Sequence, residues 1–188
     1  MVLASGPMPR RLLTPAEIAE ARLVFGSGLD YSRAHVVENS AWPDWIDGLG
    51  ARWQNRMRHK EEHNAVTLGA TSYFPVTLNT AAEAVAGGFL RDMAWLVHEL
   101  THQWQYQRWG WRYLTAAVQV QLREGRRAYD YRRDQPSLEA ALQAAHTAGR
   151  TLTSFNSEQQ GDIARDYYVR LKQARDYSPW EPFIAEFR

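Results

Sequence analysis

The chain has 188 residues, of which 45% are hydrophobic and 23% charged, enough for one domain with a sizeable core and too few for two ordinary ones. A formal net charge of +1 at pH 7 provides no overall field to gather polyanions, so nucleic acid is not an expected partner. The absence of cysteine excludes disulfides, thiolate metal sites and cysteine nucleophiles.

Residues 1–13 mix Gly, Pro and Arg without periodicity and read as a loose arm, followed by a single domain over 14–188. No basic start followed by a long apolar stretch is present there, so no cleaved signal peptide is expected and the protein is expected in the cytoplasm on synthesis. Thr14-Pro15-Ala16-Glu17 is a helix start, with Thr14 as N-cap, Pro15 where its missing N–H costs nothing, and Glu17 three residues after the cap; the helix runs to about Phe25, before Gly26 and Gly28. Arg33 to Glu38 reads as a short edge or first strand. Trp42 to Asn64, with Pro43, Gly48 and Gly50 and no clean period, reads as a long loop whose tryptophans offer a specificity wall or a docking patch.

Two β-like runs, Ala65 to Leu68 and Ser72 to Leu78, flank Gly69-Ala70-Thr71 and fit a hairpin or a bulged strand. From Arg91 to Trp109 the apolar set Met93, Leu96, Val97, Leu100 and Trp104 recurs at three and four residues, with Gly110 placed for a C-terminal stop. The apolar run leading into it, 81–97, is broken by Glu83, Arg91 and Asp92, so no membrane span is expected. Tyr113 to Arg123 reads as a helix, Gly125 to Pro136 as a loop, and Ser137 to Ala148 as a helix capped by Ser137. Asn156 reads as the N-cap of a last long helix carrying Ile163, Tyr167, Leu171 and Ala174 on one face and ending at Ser178-Pro179.

The string His98-Glu99-Leu100-Thr101-His102 lies inside the strongly periodic helix. Side chains four apart project from one helix face, so the two imidazoles can approach one tetrahedral zinc ion, while Glu99 lies beside that face and can serve a water without being a ligand. This division of labour suits amide hydrolysis: the metal polarises the carbonyl, and the carboxylate takes a proton and passes it to the leaving nitrogen. By chance such a string arises in about one chain in a hundred of this composition, and the competing reading makes both histidines ordinary helix residues. A third ligand has to come from downstream. No histidine follows His146, which favours a carboxylate, and Glu158 stands in the first turn of the last helix, where the helix dipole favours negative charge.

Glu158 and Asp162 have a spacing that resembles the thermolysin-type (gluzincin) pattern, which implies Glu158 as zinc ligand and Asp162 as acceptor from a ligand imidazole. More of the chain carries a closer resemblance. Leu12 to Glu17 with Val24-Phe25-Gly26, Val66 to Gly69 with Tyr73-Phe74-Pro75, Leu96 to Gln105, Ala128 to Tyr131 and Asn156 to Gln160 together resemble the Vgr-related proteins and the C-terminal metallopeptidase domains attached to type VI secretion spikes. The resemblance implies an α+β, zincin-like domain: a small sheet packed on the His98 helix, with a second helix bringing Glu158 to the metal. It also implies zinc as cofactor, a protein or peptide substrate, and a role as a toxin or effector exported by a contact-dependent secretion system, with a spike or an inhibitor protein as partner. Gly161 stands where the resemblance implies alanine, and a glycine there is expected to loosen the helix by about 1 kcal/mol.

Tyr106, Tyr167 and Tyr168 are the candidate oxyanion donors, each competing with a role as a core aromatic. The backbone of Ser72, Tyr73 and Phe74 is the candidate for pairing with an extended substrate, Pro75 marking an edge strand. His59 and His63 read as a solvated face, and the arginines over 123–133 as a solvated loop. Two alternatives stay open at this point: a metal-containing scaffold of a secretion apparatus without turnover, and hydrolysis of a non-peptide amide such as a cell-wall cross-link.

Overall fold

A computed structural model describes residues 9–40, 65–111, 130–132 and 135–188. The expectations for Trp42 to Asn64, including His59 and His63, for the Tyr113 to Arg123 helix, and for Arg123, Arg126, Arg127 and Arg133 lie outside the described residues. Within them the protein is mixed α+β, with one four-stranded sheet and six α-helices.

Helix α1, Pro15–Phe25, starts as its sequence dictates: the Thr14 hydroxyl accepts from the Glu17 N–H at 3.2 Å while the Glu17 carboxylate accepts from the Thr14 N–H at 2.7 Å. The loose-arm expectation fails at its C-terminal end. Arg11–Leu12 forms strand β1, antiparallel to β2, His35–Val37. The reason is a buried charge cluster: the Arg11 guanidinium reaches Glu17 at 2.8 Å and Glu38 at 3.0 Å. Thr80 also donates to Glu17, and the Leu78 N–H to Glu38. Two carboxylates taken out of water require such partners, and Arg11 provides their positive charge.

The hairpin is present as β3, Val66–Leu68, and β4, Thr71–Tyr73, antiparallel around Gly69, whose φ of 62° suits glycine. The sheet order is β1-β2-β4-β3, with β2 and β4 parallel. Strand β2 is therefore interior, not an edge. β4 stops at Tyr73 rather than continuing to Leu78. A short helix α2, Ala82–Ala86, precedes α3, Arg91–Trp109, which has the predicted bounds and ends at Gly110 with φ 62°.

Helix α4, Leu138–Thr147, is capped by the Ser137 hydroxyl, and α5, Ser157–Lys172, by a reciprocal Asn156/Gln159 box. α5 ends well before Ser178-Pro179. Ala174 turns left-handed at φ 52° and the Arg175 N–H returns to the Arg170 carbonyl, a helix stop usually made with glycine. Beyond it, α6, Glu181–Ile184, leads into a 3-10 turn, Ala185–Phe187, that the sequence reading missed. These last residues fill the core: Phe187 meets Phe25 and Trp104 edge-on at 5.4 and 4.8 Å.

α3 is buried along most of its length. Through Glu99 and Gln103 it meets the sheet, and through His98, His102 and Gln105 it meets α5. No helix among the described residues is long and apolar enough to cross a membrane.

Candidate metal centre

The helical spacing places His98 and His102 on one flank of α3 with rings 5.1 Å apart and 76° between their planes. Asn156, by capping α5, sets Glu158 in that helix's first turn opposite them. His98 Nε2 lies 3.4 Å and His102 Nε2 3.6 Å from the same Glu158 oxygen, Oε2. One donor atom from each of the three residues falls within 4.8 Å of the others. A tetrahedral ion with ligands about 2.1 Å away spaces its donors about 3.4 Å apart, so this nitrogen–nitrogen–oxygen set fits a zinc-sized ion. Among the described residues these three form the one group of this kind.

Both rings turn Nε2 toward Glu158 and meet different partners at Nδ1, His98 by an ion-pair contact and His102 by a hydrogen bond. His98 Nδ1 lies 3.0 Å from Asp162 Oδ1, and that oxygen is in turn 2.6 Å from Arg165 Nη1. His102 Nδ1 donates to Gln105 Oε1 at 2.9 Å. Gln105 uses its amide N–H groups on the Ser157 carbonyl and on Gln160, whose own amide donates to the Phe155 carbonyl. One imidazole is thus backed by a carboxylate and the other by a neutral amide relay, and both present Nε2 to Glu158.

Burial acts against charge on both rings, but their neighbours prevail. The Asp162 and Glu158 carboxylates, with Glu99 adding, push His98 up to about 10. Glu158 likewise raises His102, although the His98 charge opposes it. Burial acts to raise Glu158, and the two imidazoles overcome it and hold the carboxyl well below the usual range. Without a metal, the surrounding carboxylates therefore favour protonation of both rings, and the imidazoles in turn favour the charged form of Glu158.

Glu99 sits on the flank facing the sheet. Its Oε2 accepts from the Thr67 hydroxyl of β3 at 2.7 Å. The Thr67 and Ser72 hydroxyls are 2.7 Å apart, and Gln103 Nε2 donates to Ser72 at 2.7 Å and to the His35 carbonyl at 2.9 Å. Because Gln103 supplies protons at one end, the chain runs in one direction, Gln103 to Ser72 to Thr67 to Glu99, and ends on a carboxylate that only accepts.

His98, Glu99, His102, Glu158 and Asp162 are brought together as the sequence places them. The expectations for Tyr167, Tyr168 and the β4 backbone need correction. Tyr168 donates to Glu20 at 2.9 Å and Tyr167 accepts from Arg188 at 3.2 Å, so both hydroxyls are engaged away from the three ligands. Tyr106 packs on Trp111 and against Gly69 at the hairpin turn. Ser72 and Tyr73 lie in β4, which pairs with β2 on one side and β3 on the other, and the Phe74 N–H donates to the Val37 carbonyl. That backbone is not open to a substrate strand. Among the described residues β3 forms the sheet edge on that side. Gly161 also reads differently, since a side chain there would run into the His98 ring.

Thr67, Gln103, Gln105, Gln160 and Arg165 are partners that sequence reading did not assign. Gln103 and Gln105 carried one available signal, as uncharged polar residues inside an otherwise buried helical face.

No protein-family model and no solved structure matches the chain. The chain is similar to the type VI secretion system spike protein VgrG2b of Pseudomonas aeruginosa, being 29% identical over 165 residues that make up 87% of this chain and 13% of the spike protein. The match supports a relation to Vgr proteins, and it covers only a small part of that relative's length.

Proposed function

We propose that this protein is a zinc-dependent peptidase of zincin type that acts in association with a type VI secretion spike. The observation that carries the reading is the convergence of His98 Nε2, His102 Nε2 and Glu158 Oε2 beside a Glu99 carboxylate that is itself no ligand. A site serving stability alone has no need of Glu99 or of the hydroxyl chain that orients it. Similarity to a spike protein supports the secretion context and the expectation of a spike or inhibitor partner.

Zinc, when bound, supplies a Lewis acid that polarises the scissile carbonyl and makes water acidic. His98, His102 and Glu158 hold it, while Asp162 and Gln105 keep the two rings in the tautomer that leaves Nε2 free. Glu99, held at Oε2 by Thr67, keeps its other oxygen for the reaction. It takes the proton of the attacking water and delivers it to the nitrogen of the breaking C–N bond. With β4 closed on both sides, β3, the sheet edge among the described residues and the strand that also carries Thr67, is where an extended peptide would pair.

The test is zinc content after dialysis in metal-free buffer, for wild type and Glu158→Ala, followed by digestion of a peptide library with Glu99→Gln as control. About one zinc per chain in wild type, its loss in Glu158→Ala, and cleavage that disappears in Glu99→Gln with zinc retained would bear the reading out. A wild type that takes up no zinc on reconstitution overturns it. One that holds zinc and shows the same behaviour as Glu99→Gln across the library is a scaffold instead.

A further inference from the structure

We propose that Gly161 is a positioning residue of the metal centre, its missing side chain being what lets the His98 imidazole reach the ligand position. The proposal rests on the metal reading above. On α5, Glu158, Gly161 and Asp162 follow one another at helical spacing and present one face to α3. The His98 ring lies on that face, its Nε2 3.4 Å from Glu158 and its Nδ1 3.0 Å from Asp162. Gly161 lies under the same edge of the ring: a Cβ built there would stand 2.7 Å from Cε1, 2.8 Å from Nδ1 and 3.0 Å from Nε2. These are the atom between the two nitrogens and the nitrogens themselves, so a methyl group would press on the edge of the imidazole that does its work.

Neither way of relieving that contact preserves the ligand triangle. If the ring moves, Nε2 leaves the position it shares with His102 and Glu158. Its room to move is small, since His98 is only 8% exposed, meets His102 edge-on, and has the Asp162 carboxylate, itself paired with Arg165, 3.0 Å from its Nδ1. If α5 moves instead, it carries Glu158 away with it. Glycine in a helix interior is a poor helix former next to alanine, and Gly161 is not in the left-handed region that would need glycine. Its backbone therefore gives no reason for the residue, and in this chain, unlike a relative with alanine there, the His98 ring lies too close to α5 to leave space for a methyl group.

Gly161→Ala accordingly has two effects of opposite sign, a better helix and a worse metal site. The experiment measures zinc affinity by competition with a chromophoric chelator, together with thermal unfolding of the EDTA-treated protein, for wild type and Gly161→Ala. Zinc affinity about 10- to 100-fold weaker in a folded variant, the range found when a ligand's support is lost, bears the proposal out. Equal zinc affinity in the two proteins overturns it while leaving the metal reading intact, and a wild type that binds no zinc overturns both. Should Gly161→Ala fail to fold, the double variant His98→Ala/Gly161→Ala decides the matter. Recovery of the fold when the ring is removed identifies the clash with His98, and continued failure to fold overturns the role assigned to Gly161.

Discussion

In the metal-free protein at neutral pH His98 lies among carboxylates, and its proton is expected to stay. Burial disfavours the imidazolium, yet Asp162, Glu158 and Glu99 raise the ring from 6.5 to about 10. At pH 7 the ring is some three pH units below its midpoint, so an incoming metal displaces this proton at a cost of about 4 kcal/mol, or about a thousandfold in affinity. The stability of the metal-free protein follows the same linkage. A folded-state value above the unfolded one makes the His98 contribution fully present below pH 6.5 and lost as pH rises through about 10. Glu158 is lowered from 4.5, so its contribution is present above that pH and is lost on acidification. As far as these two groups decide it, the metal-free fold is most stable between about pH 4.5 and 6.5 and weakens toward pH 10. Histidine ring nitrogens observed by NMR across a pH series on the EDTA-treated protein report the midpoint directly. Asp162→Asn is expected to pull the His98 midpoint down by about 1 to 3 pH units by removing the nearest negative charge. A wild-type midpoint at or below 6.5, or an Asp162→Asn midpoint equal to that of wild type, would refute the electrostatic account.

Three further perturbations separate the parts of the site and its scaffold. Gln105→Leu removes the acceptor behind His102 while keeping the side chain's volume, and is expected to weaken zinc binding about 10- to 100-fold in chelator competition without unfolding α3. Thr67→Val deletes the hydroxyl that holds Glu99; zinc content should stay at the wild-type level while kcat on any peptide cleaved by wild type falls about tenfold or more, as expected on losing a hydrogen bond to a charged group. Arg11→Ala leaves the Glu17 and Glu38 carboxylates buried without their cation and is expected to cost about 3 kcal/mol in urea unfolding. That loss should shrink as pH falls toward protonation of Glu17, whose carboxyl is held low by Arg11, Thr14 and Thr80 against the opposing effect of burial.

Local chemistry explains which features could be read before the fold was known. Thr14 and Asn156 act through bonds made within three residues of themselves, and the α3 pattern repeats every turn, so these helix starts and the bounds of α3 follow from the sequence. The pairing of His98 with His102 on one face is a property of the helix, and Glu158 and Asp162 share a face for the same reason. Bringing those two faces together is a matter of tertiary packing, and so is everything that depends on it. Arg11 becomes a strand residue because Glu17 and Glu38, 6 and 27 positions away, converge on its guanidinium. The Pro75 edge signal misled because strand position depends on β1 and β2, which lie far from it in the chain. Gln105 backs His102 through partners 52 and 55 residues distant. Gly161 looks like a defect in its own helix and acquires a reason only when the His98 ring is placed against it. The sequence by itself determined the candidate ligand residues and the face of each helix that carries them, because those follow from spacing along a helix. Only the tertiary structure decided how the faces meet and which neutral or charged partner stands behind each imidazole, because those distances are set by packing between segments far apart in the chain.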